Sequence, residues 1–274
     1  MDEKVREKIL EENINLGKIE HKIYKQIHTE IYNFYEQRRF QKEIDFITRL
    51  FSNKKDLTCL DVGCGTGNLT LKFLERGFTV TGVDISRDML NILQSYIVNL
   101  KFNAKKVTLI TSDADNFIEN SVRNNKKYDV VCFSSILHHL PDYLNMIKNA
   151  CKLVYPGGCI YITHEPPLTA GGERGILCRI LAFVDVMAYS LILRMKNVKH
   201  PDITCYRYAD YHVWQEKGVD QQKILHILRE NGFKIIHFKK YIIRQNGIFA
   251  LICNALKICS PNGFCLIAKK IGDR

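Results

Sequence analysis

Several short stretches of this 274-residue chain carry side chains able to move protons. His138 and His139 close the run Tyr128-Asp-Val-Val-Cys-Phe-Ser-Ser-Ile-Leu-His-His139. His164 and Glu165 follow Ile160-Tyr-Ile-Thr163, and Tyr211-His212 lie in an aromatic stretch from Tyr206 to Trp214. An imidazole or carboxylate beside a hydroxyl can take its proton as the oxygen attacks an electrophile. A different chemistry belongs to Leu60-Asp-Val-Gly-Cys-Gly-Thr-Gly-Asn-Leu69. Its glycines, Gly63, Gly65 and Gly67, let the chain turn sharply and bring backbone N–H groups close to a bulky ligand. Their G-x-G-x-G spacing differs from the G-x-G-x-x-G of nicotinamide-binding folds. Asp61 inside the turn suits a cationic amine and would repel a pyrophosphate. Asp84 ends the apolar run Phe78-Thr-Val-Thr-Gly-Val83, about 20 residues past the glycines, where a ribose-binding carboxylate belongs.

These residues need a scaffold that brings them to one edge. Apolar runs predict strands near 57–62, 78–83, 107–111, 128–133 and 158–163. Amphipathic segments predict helices near 67–76, 86–99, 114–122 and 142–153, with Ser86 as an N-cap. Alternating strands and helices imply a parallel sheet covered on both faces. Ligands bind such sheets beyond the carboxyl ends of the strands, which gathers the turn, Asp84, Asp113, Ser134 and the two histidines.

The glycine turn, with Asp61 and Asp84, resembles the cofactor site of class I S-adenosylmethionine-dependent methyltransferases, and the resemblance covers roughly Asp56 to Pro166. It implies an α/β, Rossmann-like, mainly parallel seven-stranded sheet with helices on both faces. It also implies S-adenosyl-L-methionine as cofactor. Gly63, Cys64, Gly65 and Gly67 would approach the methionine moiety, with Asp61 favouring its amine and Ser134 beside it. Asp84 and Ile85 would hold the ribose, Met89 would lie beneath the nucleoside, and Asp113 with Ala114 would meet the adenine. Asp115 is then expected to be the cap or first-turn acid of the next helix. Candidate catalytic groups are His138, His139, His164, Glu165, Tyr211 and His212. No metal site is expected, because His138-His139 lacks a third ligand in sequence.

Residues 1–50 read as a helical cap, with 51–274 the catalytic domain carrying lid insertions near 166–218 and 245–262. Within the cap, His28–Arg39 is rich in polar aromatics and could close over the cofactor. Gly171-Gly172 would hinge a lid that encloses the acceptor with Tyr206, Tyr208, Tyr211, His212 and Trp214. The apolar segment Ile176–Met195, interrupted by Arg179, Asp185 and Arg194, is expected as a helix buried between domain and lid, a dimer face, or a wall shaping a lipophilic pocket or membrane contact. The expected acceptor is a small or lipid-like molecule methylated on oxygen or carbon. A net charge of +11 keeps RNA or protein methylation as an alternative, together with a cofactor-binding module without catalysis. No Asn/Asp-Pro-Pro-Tyr/Phe signature ends the fourth strand, which argues against methylation of DNA bases. The ten scattered cysteines suggest a reduced, cytoplasmic setting, with peripheral membrane contact left open.

Overall fold

Side-chain alternation along the strands divides the core into two layers. In β1 (Thr58–Val62) and β4 (Tyr128–Ser134), Leu60, Val62, Val131 and Phe133 face one layer. Cys59, Val130 and Cys132 face the other. The computed structural model describes residues 2–168, 175–202 and 206–272. The remaining strands are β2 (Thr79–Asp84), β3 (Val107–Thr111), β5 (Val154–Glu165), β6 (Phe233–Tyr241) and β7 (Gly263–Lys270). Their spatial order is β3-β2-β1-β4-β5-β7-β6, parallel except that β7 runs antiparallel to both its neighbours. This is the seven-stranded, Rossmann-like sheet that the sequence implies. One difference concerns β5, which starts at Val154 and not near 158, and so carries Pro156-Gly157-Gly158 within it.

Helices fill both faces. Helices α7 (Ala114–Arg123), α8 (Tyr143–Cys151) and α11 (Gln221–Glu230) set Phe117, Ile147 and Leu228 against one side. Helices α4 (Phe34–Arg49), α5 (Asn68–Glu75) and α6 (Arg87–Asn99) set Ile44, Phe73 and Leu93 against the other. The expected N-cap of α6 is present, since Ser86 Oγ accepts the Met89 N–H at 3.4 Å. Ahead of α4 the chain forms α1 (Glu3–Glu20) and the short turns α2 (Tyr24–Ile27) and α3 (Thr29–Tyr32). The segments expected to be carboxyl-side insertions contain α9 (Ile176–Met195), α10 (Tyr211–Trp214) and α12 (Gly247–Leu256). The Gly171-Gly172 hinge expected from sequence lies outside the described residues.

Cys178 and Cys259 are joined as a disulfide with Cα atoms 5.3 Å apart and 81 residues between them in sequence. This corrects the expectation of uniformly reduced cysteines. A pair so distant along the chain has no spacing signature, and only the packing of α9 beside α12 brings it together.

Helix α4 is anchored by a buried ionic network. Arg39 pairs with Glu36 and Glu43, each at 2.6 Å, and donates to Thr163 Oγ1 at 2.8 Å. Tyr161 donates to Glu43 at 2.6 Å, and His164 Nδ1 contacts Glu36 at 3.2 Å. Removing one partner of such a pair strands a buried charge, at a cost of about 3–5 kcal/mol. Arg39→Met should therefore lower unfolding stability by about that amount in urea titrations. A loss under about 1 kcal/mol would mean that solvent already screens the network.

Candidate active site

The turn between β1 and α5 is built on left-handed glycines, with φ of 68° at Gly63, 49° at Gly65 and 88° at Gly67. Their surroundings separate their roles. A Cβ on Gly63 would come within 2.4 Å of Ile136, and one on Gly67 within 2.2 Å of Leu93. Above Gly65 there is open space. Gly63 and Gly67 thus serve close packing, and Gly65 is the position that leaves clearance for a ligand. Asp84 holds this turn in place. One carboxylate oxygen accepts the Gly65 N–H and the other accepts the Ser86 N–H, both at 2.8 Å. Burial raises its pKa, and those two backbone bonds oppose the rise. Each oxygen keeps a second lone pair, so vicinal hydroxyls can still donate to it.

A cavity of about 350 Å³ opens above the turn. Asp61, Gly63, Cys64, Gly65, Asp84, Ile85, Met89, Asp113, Ala114 and Ser134 all line it, whereas Gly67 does not. Asp61 is fully buried, accepts from Thr70 Oγ1 at 2.6 Å, and is pushed up to about 6 by burial. Asp113 is the N-cap of α7, accepting the Asp115 N–H at 3.2 Å, and pairs with Arg6 at 3.2 Å. Asp115 is the first-turn acid of α7, one of the two places expected for it, and lies within 3.5 Å of the same Arg6.

Arg6 belongs to α1, the first helix of the expected amino-terminal cap, which lies across the cavity. Leu10, Asn13, Gly17 and Glu20 line the cavity from this helix. A Cβ on Gly17 would sit 2.5 Å from Ser86 Oγ, so glycine is what lets α1 rest against the start of α6. A glycine inside a helix is a weak sequence signal, but here it marks close approach.

The candidate catalytic groups separate into those that reach the cavity and those that do not. His138 and His139 line it. Glu165 sits behind them, accepting the Ile136 and Leu137 N–H groups at 2.7 and 2.9 Å and contacting His138 Nδ1 at 2.8 Å. It is fully buried and positions the turn. Burial lowers the His138 pKa, but the charge of Glu165 and its hydrogen bond carry the net shift upward. His139 goes the other way, because burial and then the neighbouring His138 hold it below the usual range. His139 Nδ1 lies 2.7 Å from the Ala209 carbonyl and 3.2 Å from Asp210. The Ala209 carbonyl can only accept, which puts the ring proton at Nδ1 and leaves the Nε2 lone pair free.

His164 lies in the Arg39 network and outside the cavity wall. Tyr211 stacks on Tyr208, with ring centroids 6.2 Å apart. His212 contacts the Leu140 carbonyl and Glu216, both at 2.7 Å. Neither lines the cavity, which corrects their expected place around the acceptor. Their bonds dock this segment on the 137–140 turn, and the residue they deliver to the cavity is Asp210. Asp210 also supplies in space the third group that His138-His139 lacks in sequence, with ligand atoms of all three within 4.8 Å.

A second polar group at the cavity was unforeseen as a unit. His28 contacts Glu20 at 3.1 Å and Glu30 at 3.0 Å, and Tyr24 and Tyr32 line the wall beside it. Tyr32 shares a hydrogen bond with Thr66 of the glycine turn at 2.9 Å. Burial would lower the His28 pKa, but the bonds to Glu20 and Glu30 outweigh it and push it up to about 10. Glu30 Oε2 is buried without a hydrogen-bond partner among the described residues. The polar aromatics of His28–Arg39 are visible in sequence, but their pairing with Glu20 across the α1–α2 corner is not.

The chain belongs to the methyltransferase-domain family, whose pattern it matches over residues 35–238. It is 31% identical over 108 residues to the ubiquinone biosynthesis O-methyltransferase of Coxiella burnetii, covering 38% of this chain and 42% of that protein. With the enzyme of the same name from Vibrio parahaemolyticus it shares 34% identity over 104 residues, with the same coverage. The match thus spans about two fifths of the length of these relatives. Among solved structures, the plantazolicin methyltransferase BpumL in complex with SAH matches with a TM-score of 0.57 at 15% identity over 98% of both chains. The magnesium protoporphyrin IX methyltransferase of Synechocystis PCC 6803 matches at 0.53 and 17% identity, over 90% of this chain and 86% of the other. Such identities establish a shared fold and leave the reaction to the site.

The His28 cluster has a pH signature. A histidine whose folded pKa is raised contributes stability that is complete below its unfolded value of about 6.5. That contribution is lost as pH rises toward about 10. Between about pH 6 and about pH 9.5, Tm should fall further for the native chain than for His28→Gln. Equal falls would remove the imidazolium from the cluster.

Proposed function

We propose that this chain is an S-adenosylmethionine-dependent methyltransferase acting on a small, lipophilic acceptor, with a hydroxyl oxygen as the favoured target. The observation that carries the reading is Gly65 with open space above it and its N–H held by Asp84, at the floor of an otherwise walled cavity. The bound cofactor would supply a methyl group made electrophilic by its sulfonium. The chain's own part is to bind, align and exclude water. Asp84 would accept from the ribose hydroxyls, and Asp61 would favour the amine. Asp113 and Ala114 would border the adenine, with Arg6 balancing the charge of Asp113. Helix α1 covers this arrangement and keeps water from the reacting atoms.

On the acceptor side, His139 is suited to take the proton of a hydroxyl, because its ring is held neutral and its Nε2 lone pair is free. Glu30 Oε2 is suited to accept a hydrogen bond that orients the acceptor. The relatives named O-methyltransferases support oxygen over carbon. The cover formed by α1 weighs against a folded RNA or protein as acceptor.

Asp84→Ala should weaken binding of S-adenosylhomocysteine by about 1.5–3 kcal/mol, the scale for hydrogen bonds to a charged group. Titration calorimetry reads this directly, and unchanged affinity would defeat the cofactor assignment.

For the acceptor chemistry, His139→Gln should leave that affinity intact while depressing turnover at least about tenfold with phenols carrying apolar tails. In the native chain the acidic limb of kcat/KM should lie below about pH 6.5, since the ring must lose its proton to act and its pKa is lowered. A limb above that value, or unaltered turnover in the variant, would exclude His139 as the base.

A further inference from the structure

Helix α9 is turned inside out. Its buried positions are Cys178, Asp185 and Leu193, and Tyr189 donates to the Ile27 carbonyl at 2.8 Å. Positions 176, 180, 183, 187 and 191 share the opposite face by helical spacing. That face meets solvent, with Ile176 79% and Phe183 67% exposed. Helix α12 extends the surface through Ile248, Leu251 and Leu256. A helix on a water-soluble surface ordinarily does the reverse, burying its apolar stripe and showing its polar one. An exposed apolar patch this continuous marks a docking surface.

Within these two segments the exposed charges have one sign. Over residues 175–199 and 247–260 the bases are Arg179, Arg194, Lys196, Lys199 and Lys257, all exposed. The acid in these segments is Asp185, buried and committed to the N–H groups of Gln245 and Asn246, both at 2.9 Å. Arg194 shares the apolar face at its carboxyl end, and Arg179 borders it near the start. Apolar side chains ringed by bases are complementary to a surface that is apolar inside and anionic at its boundary.

We propose that the α9–α12 platform lies in the headgroup layer of an anionic lipid bilayer, with its apolar face in the acyl boundary and its bases on lipid phosphates. By length and mean hydropathy, 20 residues and 2.1, α9 could cross a membrane. Its inner face prevents this, because Asp185, Tyr189 and the Cys178–Cys259 disulfide fasten it along the protein. It therefore lies in the plane of the interface. A second copy of the chain would be a poorer occupant, since it would set these bases against their own like. Through Tyr189 and Ile27 the platform adjoins the stretch that carries His28 and Glu30, so docking would bring the cavity close to lipid. The proposal holds whatever the acceptor is.

The test is co-sedimentation with vesicles of phosphatidylcholine containing about 30% phosphatidylglycerol, and with phosphatidylcholine alone. The native chain should sediment with the anionic vesicles and at least about tenfold less with the neutral ones. Phe183→Glu combined with Met187→Glu should weaken binding to anionic vesicles at least about tenfold. Arg194→Glu combined with Lys196→Glu should abolish the anionic preference. Both variants replace exposed side chains, and unchanged thermal melting would report an intact fold independently of any catalytic reading. The proposal is overturned if the native chain stays in the supernatant, or if the Phe183→Glu/Met187→Glu variant sediments like the native chain. It is equally overturned if light scattering shows a dimer that this double variant dissociates, which would make a second copy the occupant.

Discussion

The Asp84 carboxylate is the fixed point of the site. By accepting from Gly65 on one side and Ser86 on the other, it ties the β1 turn to the start of α6. Such a tether is what holds the left-handed glycines of the turn at the floor of the cavity, because glycine resists no alternative conformation. Ser86 then caps α6, and Gly17 of α1 rests on Ser86. One carboxylate thus links the cavity floor, the adjacent helix and the cover above it. Its pKa is raised by burial, so the same backbone bonds that order the loop also help keep the carboxylate charged.

The cavity has two polar ends with different electrostatics. At one, His138 is held by Glu165 while His139 is kept neutral by burial and by its neighbour. At the other, His28 lies between two carboxylates that keep it charged. Histidines of ordinary intrinsic pKa are thereby divided into one suited to proton transfer and others suited to holding charge and shape. Burial, neighbour and hydrogen bond decide which is which.

The insertions are built differently from the sheet. The conserved logic of an α/β sheet puts apolar residues between layers, whereas α9 directs its acid, a tyrosine and a cysteine inward and its apolar side chains outward. The segment from Tyr206 to Trp214, which looks in sequence like a ring of ligand-facing aromatics, spends Tyr211 and His212 on docking and sends Asp210 to the cavity.

The sequence by itself determined the sheet, its helices and the floor of the site. Strand and helix periodicities are local, and a glycine turn between β1 and α5 followed by an acid at the end of β2 places a ligand on the carboxyl edge once the sheet forms. Tertiary structure decided what neighbouring residues in sequence could not reveal. Glu165 was legible as a titratable group but not as the support of His138, a contact 27 residues distant. His164 and Glu165 are adjacent, but His164 takes a φ of 58° where the β5–β7 register shifts, and this bulge keeps it beside Thr163 in the Arg39 network while Glu165 lies behind the site. Glu20 meets His28, Asp210 meets His139, and Cys178 meets Cys259 through the packing of helices whose relative orientation no local pattern encodes. Periodicity tells which side of an element is apolar, but what that side faces, core or solvent, is fixed by the contacts the whole chain makes.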